Sequence, residues 1–392
     1  EVGQLLAQGV RARTGFTVSV EAGSVDRSPA GSISLDTAGG AGDARVGGIT
    51  SEAYTLDVTP QRVAIRGASS AAVLWGVQSL RQLLPPDFDD VRGTRAPSWS
   101  IAAVHIEDAP RFQWRGSMVD VARHFFPVAE IKRHIDLLSR YKLNVFHWHL
   151  TDDQGWRLEI PAFPRLTRVG GRRREASGDT YEGYYTRADV RAVVAYARVR
   201  GVMVVPEIEM PGHSSAALAA YPQLGCTGDP LAVPATWGVF ADVFCPGKEE
   251  TFRILSAVLD EVMALFPSPY IHIGGDEVPK DRWRACASCQ AVMRRERLTD
   301  EEALQGWFQR RIAAHVASRG KTVIGWDEVL DGGFVPGGIV QSWRDSSFTR
   351  VAVERGHRVI ASPSEWAYLN RPAGELSLAQ VQAFDPLPRG LD

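Results

Sequence analysis

The sequence predicts an α/β fold, a (β/α)8 barrel of the TIM type preceded by a small α+β domain. From Phe112 onward, short apolar runs alternate with runs of helical periodicity, the pattern of βα units around a parallel sheet. Most apolar runs end in acidic, histidine or aromatic residues, and a barrel places its active site at the carboxyl ends of its strands. A doubly wound sheet would instead carry a glycine-rich first turn, which this sequence lacks, so we favour the barrel.

Residues 1–98 are predicted to form the small domain and residues 99–392 the barrel domain. The predicted elements of the small domain are helices at residues 4–13 and 70–84 and strands at 16–20, 32–36, 54–58 and 63–65. The glycine-rich segment 38–48 is predicted to be a loop and the segment 85–97 a linker. We find no group of residues typical of catalysis in this region.

Seven strands are predicted for the barrel, at residues 116–121, 144–150, 202–208, 270–273, 322–326, 338–343 and 358–361. The main helices between them are predicted at 129–141, 186–201, 251–265 and 301–319. Pro386 and Pro388 prevent the last residues from forming a central strand, because proline lacks the N–H that a sheet requires. We therefore expect the eighth strand to be missing and the barrel to be truncated at its C-terminal end.

Composition argues against several classes of partner. A formal net charge of -2 provides no electrostatic attraction to nucleic acid or to an anionic membrane. No apolar run reaches about 18 residues, so no membrane-spanning helix is expected. No cofactor and no metal site are predicted, because Cys286 and Cys289 lack the second pair that a zinc site needs. Glu1 begins the chain without a charged and apolar leader, so we expect a removed signal peptide or a fragment, and a periplasmic or secreted protein.

The fourth predicted strand leads into two adjacent carboxylates. Gly274 and Gly275 end the strand and allow a tight turn, and Asp276 and Glu277 follow directly. Just past a strand end, both side chains can reach one cleft. Two acids this close do not behave alike, so we expect one to donate a proton while the other remains an anion.

Four motifs around the strand ends carry a family resemblance. They are residues 120–125 (DVARHF), 149–156 (HLTDDQGW), 206–213 (PEIEMPGH) and 272–277 (HIGGDE). In this order they resemble the motifs of glycoside hydrolase family 20, the β-N-acetylhexosaminidases. The resemblance runs through the barrel, and residues 1–98 resemble the small N-terminal domain of that family. Four motifs in one order argue against a chance match.

The resemblance implies an exo-acting enzyme that hydrolyses terminal non-reducing β-linked GlcNAc or GalNAc by substrate-assisted retaining catalysis, an exception to the usual two-carboxylate scheme. The substrate's own 2-acetamido oxygen would attack the anomeric carbon and form an oxazolinium ion. Glu277 would protonate the leaving oxygen and later deprotonate water. Asp276 would bind the acetamido N–H and stabilise the positive charge, and Tyr368 would bind the acetamido oxygen.

The resemblance also implies substrate-binding residues. Trp326 and Trp343 match positions that wall the acetamido methyl group, and Trp366 is a candidate third wall. Arg123 would donate to sugar hydroxyls, although a structural ion pair is the alternative for a single arginine.

Three further positions complete the predicted site. Asp152 and His213 match a pair that tunes protonation of the acid, and a purely structural hydrogen bond is the alternative. Glu209 is a candidate for positioning His213. Asn370 stands where the family typically has an aspartate that contacts the outer hydroxyls of the sugar, which leaves hydroxyl recognition open.

Two disulfides and two alternative functions are also considered. Four cysteines are an even number, and relatives are often exported, so we predict a Cys226–Cys245 bond and a Cys286–Cys289 bond.

The family's next stretch, a strand bearing a tryptophan and a glutamate of the sugar pocket, is absent from this chain. A non-catalytic or weakly active sugar-binding fragment is therefore one alternative. A disaccharide-releasing enzyme of the same family, which would need a deeper pocket, is the other. Oligomeric state and the choice between GlcNAc and GalNAc are not predicted.

Overall fold

A computed structural model describes residues 1–23, 25–37, 50–85, 100–372, 374–388 and 390. The chain forms two compact units. The first comprises Glu1–Ser117, Ile131–Val145 and Ala195–Met203, and the second comprises Met118–Glu130, Phe146–Val194 and Val204–Asp392. The division predicted at residue 98 remains a prediction, and the predicted loop 38–48 and most of the predicted linker lie outside the described residues.

Strands and α-helices alternate along much of the described chain. The strands are β1 (Ile33–Asp36), β2 (Tyr54–Val58), β3 (Val63–Gly67), β4 (Val104–Asp108), β5 (Gly116–Asp120), β6 (Val145–His149), β7 (Thr151–Asp152), β8 (Gly155–Trp156), β9 (Arg172–Arg174), β10 (Thr180–Glu182), β11 (Met203–Glu207), β12 (Tyr270–His272), β13 (Thr322–Trp326), β14 (Ile339–Ser342) and β15 (Arg358–Ala361). The α-helices are α1 (Val2–Thr14), α2 (Ser70–Gln82), α3 (Val128–Arg140), α4 (Arg165–Arg168), α5 (Arg187–Arg198), α6 (Ser215–Ala220), α7 (Glu249–Leu265), α8 (Asp281–Ala285), α9 (Ala287–Glu296), α10 (Glu301–Ser318), α11 (Ser346–Glu354), α12 (Ser364–Ala367) and α13 (Leu378–Ala383).

The first unit contains a four-stranded sheet in the order β1-β3-β2-β4. β2 alternates buried and half-buried residues, and its buried face packs with Trp75 of α2 in an apolar core. The strand predicted at residues 16–20 is wrong. Residues 16–20 pair with no strand among the described residues; Phe16 is exposed, and Arg11 donates to the carbonyl of Val18 at 2.9 Å.

The seven-stranded sheet has the order β15-β14-β13-β12-β11-β6-β5. The strands of this sheet are therefore neighbours in the same order in which they follow one another along the chain. The pairs β11–β12, β12–β13, β13–β14 and β14–β15 are parallel. A doubly wound sheet reverses its order at a switch point, whereas this order does not reverse. The sheet therefore fits a TIM-type barrel, and the seven predicted strands are confirmed. A missing eighth strand remains a prediction.

Helix caps follow the sequence signals. Thr186 and Asp189 exchange backbone-to-side-chain hydrogen bonds of 2.9 and 3.1 Å at the start of α5, which is the predicted capping arrangement. Asp300 accepts from the Ala303 N–H at 2.8 Å at the start of α10. None of the helices in the described part of the chain is long and apolar enough to span a membrane.

Candidate active site

The turn after β12 holds the two adjacent carboxylates. Gly274 and Gly275 have φ angles of 66° and 105°, a region that glycine adopts without a steric cost. A Cβ atom on Gly274 would lie 1.6 Å from Oε2 of Glu209, so a larger residue does not fit without moving that side chain. The turn places Asp276 and Glu277 directly beyond the buried end of the strand.

Asp276 and Glu277 both approach His213. Nε2 of His213 lies 3.5 Å from Oδ2 of Asp276 and 3.4 Å from Oε2 of Glu277. The Asp276 side chain is 16% exposed and that of Glu277 is 41% exposed. Oδ1 of Asp276 is buried and accepts no hydrogen bond from the residues that the structure describes. A buried carboxylate oxygen with unused acceptor capacity thus stands beside a more accessible carboxyl group.

Two more carboxylates contact the other nitrogen of His213. Its Nδ1 lies 3.0 Å from Oδ2 of Asp153 and 3.2 Å from Oδ1 of Asp152. Burial lowers the pKa of His213, but the charges of Asp152 and Asp276 outweigh burial and raise it well above 6.5. His213 is therefore a buried cation at neutral pH. It lowers the pKa of Glu277 more than burial raises it.

Arg123 forms ion pairs with two aspartates, and part of its side chain remains exposed to solvent. Its Nη1 lies 2.8 Å from Asp120 and 2.7 Å from Asp152, and its Nε donates to Gln154 at 3.0 Å. Burial lowers the pKa of Arg123, but the two acids outweigh burial and raise it. The side chain is 19% exposed, and its guanidinium carbon lies 5.8 Å from the ring centre of the exposed Trp237. The structural ion pair considered from the sequence is thus present, and part of the guanidinium remains accessible.

A buried carboxylate, Glu207 at the end of β11, joins three histidines. It lies 2.7 Å from Nε2 of His147, 2.5 Å from Nδ1 of His149 and 2.8 Å from Nδ1 of His272. Burial raises the pKa of Glu207, but the neighbouring histidines lower it well below 4.5. Burial lowers the pKa of His147 to about 4, whereas that of His149 is raised because Glu207 and other acids outweigh burial. His149 also lies 2.9 Å from Asp152, and Asp152 contacts His213. Glu207 is therefore linked to His213 through His149 and Asp152.

Trp326 ends β13 and contacts a second buried acid. Its Nε1 donates to Oε1 of Glu209 at 3.4 Å, and its ring centre lies 4.7 Å from that of His272. Burial, and then the negative charge of Asp276, raise the pKa of Glu209 well above 4.5. No hydrogen bond joins Glu209 to His213 among the described residues, so the positioning role expected for Glu209 is not seen in these contacts.

Trp343 and Tyr368 lie against each other, with ring centres 6.2 Å apart and planes within 18°. Trp343 Nε1 donates to Glu328 at 2.9 Å, and its backbone N–H donates to Asp327 at 2.7 Å. Burial and the charge of Asp276 raise the pKa of Glu328 to about 8. Burial, and then the charge of Asp276, also raise the pKa of Tyr368. The side chains of Glu328 and Tyr368 therefore both experience the negative charge of Asp276.

Two predicted binding residues lie apart from these contacts. Trp366 stacks on Phe384, with ring centres 6.2 Å apart and planes within 13°. Asn370 is exposed in the turn after α12. In the described part of the chain, neither residue forms a hydrogen bond or ring contact with the carboxylate cluster.

Comparison with known proteins finds a family match over two regions of the chain. Residues 112–387 match the family "Glycosyl hydrolase family 20, catalytic domain", and residues 1–109 match "Glycosyl hydrolase family 20, domain 2". The chain belongs to glycosyl hydrolase family 20. The predicted resemblance is thereby confirmed both for the barrel region and for the N-terminal region.

Family 20 relatives are similar in sequence and structure. The chain is 43% identical to a β-hexosaminidase of Porphyromonas gingivalis, covering 100% of this chain and 51% of that protein. It is 38% identical to a β-hexosaminidase of Akkermansia muciniphila, covering 84% of this chain and 67% of that protein. A solved mutant β-hexosaminidase of Streptomyces plicatus, in complex with its product GlcNAc, has a TM-score of 0.83 and 36% identity over 98% of this chain and 74% of that one. The chain thus spans about half the length of the Porphyromonas relative.

Sequence reasoning on this family 20 chain missed three groups. Asp153 contacts His213 as closely as Asp152 does, and its place in the same acidic pair was the available signal. Asp327 and Glu328 follow the fifth predicted strand, where acidic residues were a signal at other strand ends. The contacts of Glu207 with His147, His149 and His272 were not predicted either, because these partners come from other strands.

The two disulfides predicted for this family 20 chain are wrong. Cys226, Cys245, Cys286 and Cys289 are all free. The sulfur contacts seen between them are 3.4, 3.7 and 3.8 Å long, whereas a disulfide bond measures about 2.05 Å. The four thiols meet in one cluster rather than in two separate pairs.

Proposed function

We propose that this chain acts as an exo-β-N-acetylhexosaminidase that removes terminal non-reducing β-linked GlcNAc or GalNAc. The proposal rests on family membership together with one feature of the site. Asp276 and Glu277 both lie within 3.5 Å of the cationic His213, and Asp276 keeps a buried acceptor oxygen without a partner among the described residues. Such an oxygen suits a neutral N–H donor on a ligand, because burying it unsatisfied is costly.

The proposed first step is attack by the substrate on itself. Oδ1 of Asp276 accepts the acetamido N–H, and the Tyr368 hydroxyl donates to the acetamido oxygen. The oxygen is held next to the anomeric carbon, where a positioned group reacts at a high effective concentration. Glu277 donates its proton to the glycosidic oxygen as that bond breaks, and an oxazolinium ion forms.

The second step is the reverse proton transfer. Glu277, now a carboxylate, takes a proton from water while the water oxygen bonds to the anomeric carbon. The acetamido C–O bond breaks, and the product retains the β configuration. The anionic Asp276 balances the positive charge of the oxazolinium ion in both steps.

Glu277 must be protonated when the glycoside binds. His213 lowers the pKa of Glu277, which on its own opposes protonation. A bound glycoside would cover the accessible carboxyl and raise its pKa, because burial disfavours the charged form. The pKa of Glu277 would then increase on substrate binding. Glu277 would therefore gain its proton when the glycoside is bound.

Aromatic side chains and Arg123 would hold the sugar. Trp343 packs on Tyr368 and Trp326 lies on the adjacent strand, which supports a proposed contact of both with the acetamido methyl group. Arg123 would use the accessible part of its guanidinium for sugar hydroxyls. Trp366 and Asn370 remain candidate contacts on the basis of the family motif. An exported location, and the lack of nucleic-acid and membrane partners, likewise remain predictions from the sequence.

The test is turnover of chromogenic β-GlcNAc and β-GalNAc glycosides, with the first product observed by proton NMR. We expect a β-anomer as first product and inhibition by a thiazoline that mimics the oxazolinium ion. An α-anomer would rule out the mechanism. Binding of GlcNAc without turnover would instead support a sugar-binding fragment, and release of a disaccharide from an oligosaccharide would support the second enzyme class.

A further inference from the structure

Four cysteine sulfurs form a compact cluster away from the carboxylates. All four Sγ atoms lie within 4.8 Å of one another. Three separations are 3.7 Å for Cys226–Cys289, 3.8 Å for Cys245–Cys286 and 3.4 Å for Cys245–Cys289. Cys245 and Cys289 are fully buried and the other two are half-buried. The cluster is thus closed on one side and within reach of solvent ions on the other.

Backbone contacts bring the four residues together. Gly225 forms an antiparallel bridge with Phe244, and the Cys245 N–H donates to the carbonyl of Leu224 at 2.8 Å. This bridge places Cys226 beside Cys245. Cys286 and Cys289 form a C-x-x-C pair where α8 meets α9.

The two halves pack closely against each other. A Cβ atom on Gly247 would lie 2.5 Å from the backbone nitrogen of Cys289, so the turn after Cys245 touches the start of α9. Trp283 Nε1 donates to the carbonyl of Phe244 at 3.0 Å. The surrounding residues, including Val243 and Trp283, are buried and apolar. The sulfurs are therefore positioned by well-packed neighbours on both chain segments.

The spacing fits a tetrahedral metal rather than disulfides. Zinc bound to cysteine has a Zn–S distance of about 2.3 Å, which places the sulfurs of a tetrahedral site about 3.8 Å apart. A disulfide would require about 2.05 Å. We propose that Cys226, Cys245, Cys286 and Cys289 bind one structural Zn²⁺. The sequence did not predict it because the second pair forms only when Cys226 and Cys245 meet across the Gly225–Phe244 bridge.

Four thiolate ligands complete the zinc coordination, so no position remains open for substrate or water. The four thiols lose their protons to solvent as the metal binds. The metal would tie the segment between β11 and α7 to the segment that follows the catalytic turn. Val278, directly after Glu277, packs against the same apolar cluster, so the site supports the base of that turn. The inference concerns metal binding alone and does not depend on the proposed hydrolase activity.

The first test is the metal content of the whole chain, purified without chelators or added metal and measured by elemental mass spectrometry. We expect one zinc per chain, and one equivalent of Co²⁺ in its place should give the intense sulfur-to-cobalt absorption of a thiolate site. Wild-type protein that holds no zinc after incubation with Zn²⁺ would overturn the proposal. Peptide mapping that finds disulfides among these cysteines in the purified chain would overturn it equally.

The second test compares variants in the C-x-x-C turn. Cys286→Ser should lose most of the zinc and the cobalt absorption, whereas Ser288→Ala, an exposed neighbour in the same turn, should keep both. A chelator should lower the Tm of wild type and of Ser288→Ala. Full zinc occupancy in Cys286→Ser would remove that residue from the site. If this variant does not fold, the cobalt spectrum of the wild type still decides the outcome.

Discussion

The Nε2 atom of His213 lies 3.4 Å from Oε2 of Glu277, and this relationship links the buried charges to the accessible acid. His213 is held cationic by Asp152 and Asp276, and it lowers the pKa of Glu277. The same contact therefore favours the charged form of Glu277 in the free protein. Five predictions concern this contact and its surroundings.

Glu277→Gln should lower kcat by about 10²–10⁴-fold, because general acid–base catalysis contributes a factor of that size. The loss should be smaller with a dinitrophenyl glycoside, whose leaving group needs little protonation. Since the Glu277 side chain is 41% exposed, the Tm should change little. Equal losses with both leaving groups would contradict an acid role.

Asp276→Asn should abolish most turnover while leaving the fold intact. The amide is nearly isosteric, but it cannot balance the positive charge of an oxazolinium ion. A thiazoline inhibitor should bind the variant less tightly than wild type, measured by calorimetry. Unchanged thiazoline affinity would argue that Asp276 does not contact the acetamido group.

His213→Gln should move the alkaline limb of the pH profile of kcat/KM to higher pH. His213 lowers the pKa of Glu277, so removing its charge raises that pKa and keeps Glu277 protonated to higher pH. The limb should be measured in Glu182→Gln as a control, because Glu182 belongs to an exposed ion pair with Arg172. An alkaline limb that stays in place would show that His213 does not tune Glu277.

Glu207→Gln should destabilise the fold by about 3–5 kcal/mol, because removing one partner of a buried charge cluster leaves the others uncompensated. Glu207 is fully buried against three histidines. Glu182→Gln, whose side chain is 58% exposed, should cost about 0–1 kcal/mol. Denaturant unfolding measures both, and equal stabilities for the two variants would contradict the prediction.

The stabilising effect of Glu207 should also depend on pH. Its pKa in the folded protein is well below 4.5, so its contribution is present above the unfolded value of about 4.5 and is lost as pH falls through the folded pKa. The stability difference between wild type and Glu207→Gln should therefore shrink in acid. A difference that stays constant down to strongly acidic pH would rule out this linkage.

The sequence by itself determined the strand succession and the positions of the main acids. Alternation of apolar and helical runs is a local property, and seven predicted strands appear in the observed sheet. Asp276 and Glu277 were identifiable because two glycines and a buried strand precede them directly. The segment 16–20 shows the limit of this reasoning, since an alternating run becomes a strand only if another strand pairs with it.

Tertiary structure alone decided which distant side chains meet. Glu207 joins histidines from two other strands, and Cys226 meets Cys289 across 63 positions of sequence. The sequence supplied these residue types but not their distances, because the packing of separate strands and helices sets those distances. The pKa shifts of His213 and Glu328 have the same origin, since burial and neighbouring charge exist only once the chain has folded.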